Sequence, residues 1–127
     1  MRRFNPSSGH PFRAVQAWQI LVGAAMNRQT LSYLRLSKLM YGKSAQGVLD
    51  RILGHIAFYC QDNQLPVLTC IVVNQTTGLP GQDIPILLDQ LNAERERVYA
   101  EDWYDIYRPN ARNLRESFER NMNAADA

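Results

Sequence analysis

The run from Thr30 to Gly81 constrains the fold more than any other part of the chain. Thr30 to Ser32 reads as a short extended piece, and Ser32 stands where a helix cap belongs. Tyr33 to Met40 then forms a short helix, with Leu34, Leu36, Leu39 and Met40 supplying apolar contacts. Tyr41-Gly42 ends it, because glycine accepts the left-handed conformation on which helices close. Ser44 is expected to cap a longer helix reaching about Asn63, in which Val48, Leu49, Ile52, Leu53, Ile56 and Tyr59 follow a 3.6-residue period. After Leu65-Pro66, the β-branched run Val67 to Val73 reads as a strand, and Asn74-Gln75-Thr76-Thr77-Gly78 reads as a hairpin tip before Leu79-Pro80-Gly81. Short helix, glycine turn, longer helix and hairpin, in that order, describe a winged helix-turn-helix. The expected fold class is mainly α with a small β-hairpin wing and extra N- and C-terminal helices.

The flanks supply those extra helices. Pro11 to Asn27 is a helix with Pro11 in its first turn and Val15, Trp18, Leu21, Val22, Ala25 and Met26 on an apolar side. It is expected to pack behind the helix-turn-helix, with Trp18 in the core. Asp83 is placed as the cap of a helix from Ile84 to about Ala100, with Pro85 in the first turn and an amphipathic stripe of Ile84, Leu87, Leu88, Leu91, Arg95, Val98 and Tyr99 along it. A last helix starts at Arg108-Pro109-Asn110 and runs to about Asn121, anchored by Leu114 and Phe118. The 127 residues fit one domain: an arm over 1–10, a winged core over 11–81 and a helical extension over 82–127. Gly54 in mid-helix costs about 1 kcal/mol relative to alanine, so a packing demand is expected there. His55 beside it reads as a surface or satisfied core residue.

No catalytic signature accompanies this frame. GxGxxG, P-loop and HExxH patterns are missing, and His10 and His55 are the only histidines. Cys60 and Cys70 lack metal-ligand spacing and are too few for a disulfide scaffold. The expectation is a non-enzyme with no catalytic residues, no cofactor and no metal. The longest apolar-rich run, Ala14 to Met26, is interrupted by Gln16 and Gln19 and is too short to span a bilayer. With no signal-peptide pattern, a reduced cytoplasm and no membrane association are expected.

Charge is distributed unevenly. Residues 1–60 hold eight basic residues against Asp50, a net of +7, whereas residues 82–127 hold ten acids against six arginines, a net of −4. The basic half points to double-stranded DNA. Arg28, Arg35, Lys38, Lys43 and Arg51 would meet phosphate, and Lys43, Ser44, Gln46 and Gly47 would open the helix that faces base edges. Gln46 can pair with adenine through both amide groups. The candidate wing carries no Lys or Arg, so only its Asn, Gln and Thr side chains could bond phosphate or a groove edge. The acidic half points to a protein partner. Tyr99, Trp103, Tyr104 and Tyr107 alternate with Glu101, Asp102 and Asp105, a pattern that repels phosphate and suits a protein surface. The same rings could instead close over the end of the core.

Residues 30–81 also resemble the C-terminal, DNA-binding domain of the alkylguanine alkyltransferase and alkyltransferase-like family. The resemblance rests on Leu31-Ser32-Tyr33, Ser44-Ala45-Gln46-Gly47-Val48, Leu65-Pro66-Val67, and Val72-Val73 followed by Gly78. It implies duplex binding in which Tyr33 helps to rotate a nucleotide outward. In the family an arginine fills the vacated gap, and here Gln46 stands in its place. The family's alkyl acceptor lies in Pro-Cys-His-Arg-Val, whereas this chain reads Leu68-Thr69-Cys70-Ile71-Val72, with Cys70 at the histidine position. No histidine follows to activate the thiol, so Cys70 reads as structural and alkyl transfer is not expected. The sequence-level reading is a small, non-catalytic, bacterial-type winged-helix protein, regulatory or engaged in DNA damage or defence. The alternative is an interaction module such as an inhibitor, immunity protein or adaptor.

Overall fold

Helix α1 (His10–Met26) sets its apolar stripe at helical spacing, and Pro11, Ala14, Ala17, Trp18, Leu21, Val22 and Ala25 are all buried. Its end is a Schellman turn: Arg28 N–H donates to the Ala25 carbonyl, Gln29 N–H to that of Ala24, and Arg28 takes a left-handed φ of 55°. The chain is seen as a computed structural model that describes residues 9–44, 46–81 and 86–126. Residues 1–8 of the arm expected over 1–10 and the proposed cap Asp83 lie outside those residues, whereas His10 already belongs to α1.

A two-residue strand β1 (Leu31–Ser32) leads into α2 (Tyr33–Tyr41). The helix starts where its sequence says, since Ser32 Oγ accepts from Arg35 N–H at 3.0 Å. It also stops there: Gly42 has φ 72° and donates its N–H to the Lys38 carbonyl. The next helix departs from expectation. A 3₁₀ turn at Gln46–Val48 precedes α3 (Leu49–Asp62), so the regular helix starts at Leu49 and Ser44 is not its cap. Asp50 in the first turn suits the helix dipole there. Asn63 and Gln64 close α3 with a second Schellman turn, Gln64 at φ 55° and Leu65 N–H on the Cys60 carbonyl.

The run Val67 to Val73 is another difference. It is a 3₁₀ turn at Leu68–Ile71 followed by strand β2 (Val72–Val73), which pairs in parallel with β1 through Leu31 with Val72 and Ser32 with Val73. The physical reason lies in the burial: all seven residues are buried, so nothing in the pattern separates a strand from a tightly wound turn. The hairpin tip is a closed loop. Asn74 N–H donates to the Leu79 carbonyl, and Asn74 Oδ1 accepts from both Thr76 N–H and Thr77 N–H. Secondary structure is thus mainly helical with one small sheet.

The C-terminal extension returns to the core. A 3₁₀ turn (Leu88–Gln90) opens α4 (Leu91–Ala100), which begins later than the stripe suggested because Leu87 is extended and both Leu87 and Leu88 are exposed. Asn110 and Asn113 cap α5 (Ala111–Asp126) reciprocally, each side-chain oxygen taking the other's N–H. Leu114 and Phe118 anchor α5 against α1 and α3 as expected. Gly54 explains itself here, because a Cβ would lie 3.3 Å from Phe118 Cε1. No helix among the described residues is long and apolar enough to cross a membrane.

His55 is a satisfied core residue. Its Nδ1–H donates to the Arg51 carbonyl at 2.6 Å, and its ring stacks on Phe118 with centroids 4.0 Å apart. Burial pushes it down to about 4, helped by the charges of His10 and Arg115 and opposed by the Arg51 hydrogen bond. As pH falls below about 6.5, the ordinary imidazole value, the unfolded chain binds a proton that the folded chain refuses. The stabilisation is whole above that pH and drains away as the pH approaches about 4. Unfolding free energies from urea titrations between about pH 7 and 4.5 should therefore fall, with a slope of up to about 1.4 kcal/mol per pH unit from this group. A His55→Gln variant should show a shallower fall; equal slopes would remove His55 as the source.

Candidate nucleic-acid interface

The candidate surface is built on α2 and the turn that follows it. Leu36 and Ser37 face the core, which turns Arg35 and Lys38, three residues apart, into solvent. Lys43 and Ser44 follow Gly42 and are exposed, as is Gly47, which has open space where a Cβ would stand. Residues 33–48 contain three cations and no acid. Among the described residues no ion pair engages Arg35, Lys38 or Lys43. Arg51 is half-buried on α3 beside exposed Asp50, and the side chain of Gln46 lies outside the described residues.

Arg28, unlike Arg35, Lys38 and Lys43, is in an ion pair. Its guanidinium pairs with Glu96 at 2.7 Å and lies over the Tyr99 ring at 5.1 Å, which fastens the end of α1 to α4. Both partners of that pair are well exposed, so it adds little stability, but it directs Arg28 toward the acidic half. Tyr33 has a structural task as well. Its hydroxyl accepts the Gly81 N–H at 2.7 Å and so straps the exit of the wing loop to the start of α2. A Cβ at position 81 would come within 2.6 Å of that hydroxyl, so a side chain there would push the Tyr33 hydroxyl aside.

Sequence reasoning missed what holds the wing from behind. Arg95, assigned only to an amphipathic stripe, donates to the Cys70 carbonyl at 3.2 Å and the Gly78 carbonyl at 2.9 Å. Its neighbour Glu94 accepts Val67 N–H at 2.7 Å and Arg97 at 2.7 Å. Two adjacent charged residues on a helix carry no local sign of such long-range bonds. The wing and Tyr33 also border a cleft of about 520 Å³, whose far wall is formed by Ile86, Leu87, Leu88 and Leu91. Asn74 and Thr77 supply polar groups to it.

The sulfur chemistry is closed. Cys60 and Cys70 are free and buried, and burial pushes each thiol up to about 12. Glu94 adds to that rise at Cys70, so almost no thiolate exists near neutral pH. Thr69, one residue earlier, is fully buried, and its hydroxyl has no hydrogen-bond partner among the described residues. No group of three or more His, Cys, Asp or Glu residues among the described residues could hold a metal ion.

The aromatic–acidic segment divides in two. Trp103 is buried at 2% exposure, and Tyr99 is half-buried beneath Arg28. Tyr104 and Tyr107 project into solvent, 70% and 97% exposed. Trp103 therefore belongs to the core and only the two tyrosines offer free rings. Comparison of the chain with known protein families, curated proteins and solved structures returns no match.

Proposed function

We propose that this chain is a non-catalytic double-stranded DNA-binding protein of winged-helix type. The observation that carries this reading is the exposed run of Arg35, Lys38 and Lys43 on α2 and its turn, without an acid between residues 33 and 48. Unpaired cations on a helix and its following turn attract a phosphate backbone, and α3 is the helix that would approach the groove. Arg51 adds a fourth cation, while Ser44, Gln46 and Tyr33 are the residues we place nearest the bases. The thiols pushed up to about 12 support binding without alkyl transfer. Free, buried cysteines also agree with the reducing cytoplasm in which we place the protein.

Fluorescence anisotropy with a labelled random-sequence duplex tests this directly. Four phosphate contacts give a salt slope of about −3.6, so affinity should fall about 100-fold between roughly 50 and 200 mM salt. Absence of binding at the lower concentration would overturn the proposal.

A further inference from the structure

The cleft of about 520 Å³ beside the wing takes its apolar walls from two stretches of the chain. Leu79 and Pro80 come from the exit of the wing loop, and Ile86, Leu87, Leu88 and Leu91 come from the approach to α4. Leu79, Leu87 and Leu88 are 43%, 66% and 69% exposed, so three large apolar side chains meet water around one opening. The volume lies in the range of small-molecule sites. The frame is set before anything binds: Arg95 donates to the Gly78 carbonyl, Gly81 N–H donates to the Tyr33 hydroxyl, and Asn74 N–H donates to the Leu79 carbonyl. A preformed cleft spares a ligand much of the ordering that weakens binding to soft surfaces.

The polar side chains of the lining are Tyr33, Asn74 and Thr77, and no lining residue carries a charge. An ion entering the cleft would lose hydration without meeting a counter-charge. The loop itself engages the oxygens of Asn74 and Thr77. Asn74 Oδ1 accepts from Thr76 N–H and Thr77 N–H, and Thr77 Oγ1 accepts from Leu79 N–H. The hydrogens on Asn74 Nδ2 and Thr77 Oγ1 are donated to no group among the described residues. The cleft therefore combines apolar walls with neutral donors, and the feature that complements a neutral donor is an uncharged acceptor oxygen.

We infer that this cleft binds a small, uncharged, apolar molecule carrying a carbonyl oxygen. The apolar body lies against Leu79, Leu87 and Leu88, and the carbonyl accepts from Asn74 and Thr77. Of the residues proposed to meet the duplex, only Tyr33 lines the cleft, so the inference does not rest on DNA binding.

Two probes of nearly equal size test it on the full chain: acetonaphthone, a neutral ketone, and naphthoate, an anion. Amide NMR titrations report both affinity and place. Acetonaphthone should bind with a Kd of about 1 mM or tighter and shift the amides of residues 74–81 and 86–91. Naphthoate should bind at least about tenfold more weakly. Leu87→Ser with Leu88→Ser should weaken acetonaphthone at least about fivefold through lost apolar contact. Asn74→Asp keeps an oxygen for the loop and removes the amide donor, and it should weaken acetonaphthone about fivefold. Circular dichroism should stay as in the parent protein, because all three side chains are exposed. Absence of saturable binding, shifts confined to other parts of the chain, equal binding of the two probes, or full affinity in either variant would overturn the inference. Sedimentation showing a dimer that the leucine variant dissolves would also overturn it, since the occupant would then be a second copy. Failure of duplex binding leaves this result independent.

Discussion

Duplex binding falls about 100-fold or more when Arg35, Lys38 and Lys43 are all replaced by glutamate. Each lost phosphate contact removes about 0.9 from the slope of log affinity against log salt, so the slope flattens by about 2.7. The loss of affinity follows from three missing contacts together with three new charges that repel the duplex. The fold should survive, because all three side chains are exposed and no ion pair among the described residues uses them. Anisotropy titrations at several salt concentrations give both quantities. An unchanged slope in the triple variant would mean that other cations meet the phosphates. Reversal of Arg28 is the control, since its guanidinium is directed to Glu96 and Tyr99 and its loss should move the slope far less.

Trp103→Ala should destabilise the protein by about 3–5 kcal/mol. Three losses add together at this position. The indole is almost fully buried, so its removal forfeits apolar burial and leaves a large cavity. Its Nε1–H bond to the Val98 carbonyl disappears, leaving that carbonyl with the longer bond from Glu101 N–H at 3.4 Å. Its edge-to-face contact with Trp18, which itself meets Tyr59 at 5.8 Å, is removed from the centre of the α1 interface. Urea unfolding followed by circular dichroism measures the change. Tyr104→Ala, one residue away and 70% exposed, should move the midpoint by no more than about 0.5 kcal/mol. A small effect at Trp103 would mean that the loop between α4 and α5 can collapse into the vacated space.

The contrast between these two neighbours shows how far sequence alone reaches. Trp103 and Tyr104 are both aromatic, both flanked by acids and both outside a regular helix, yet one closes the core and the other faces water. Neither composition nor spacing separates them, because the segment has no period from which a face can be assigned. The same limit applies to Val67–Val73. Its β-branched composition suggested a strand, but packing on all sides wound most of it into a 3₁₀ turn and left Val72 and Val73 paired in parallel with β1. Arg28, counted among the phosphate cations, also pairs with Glu96, 68 residues further along, a contact that no local pattern signals. Arg95 looked like part of a stripe and turned out to clamp the wing to α4.

What the sequence by itself determined is local. Ser32 and Gly42 set both ends of α2 through one side-chain cap and one left-handed turn. Pro11 suited the first turn of α1, and the 3.6-residue period chose the buried face of α3. Gly54 signalled a close approach before Phe118 could be seen to make it. Each of these depends on atoms within a few residues, so the chain states them directly. Tertiary structure alone decided the start of α3, the parallel pairing of two short strands, the strap from Tyr33 to Gly81 and the burial of Trp103 against Trp18. Those features join residues tens of positions apart, and which of several competing contacts forms depends on the packing of α1, α3 and α5 against one another.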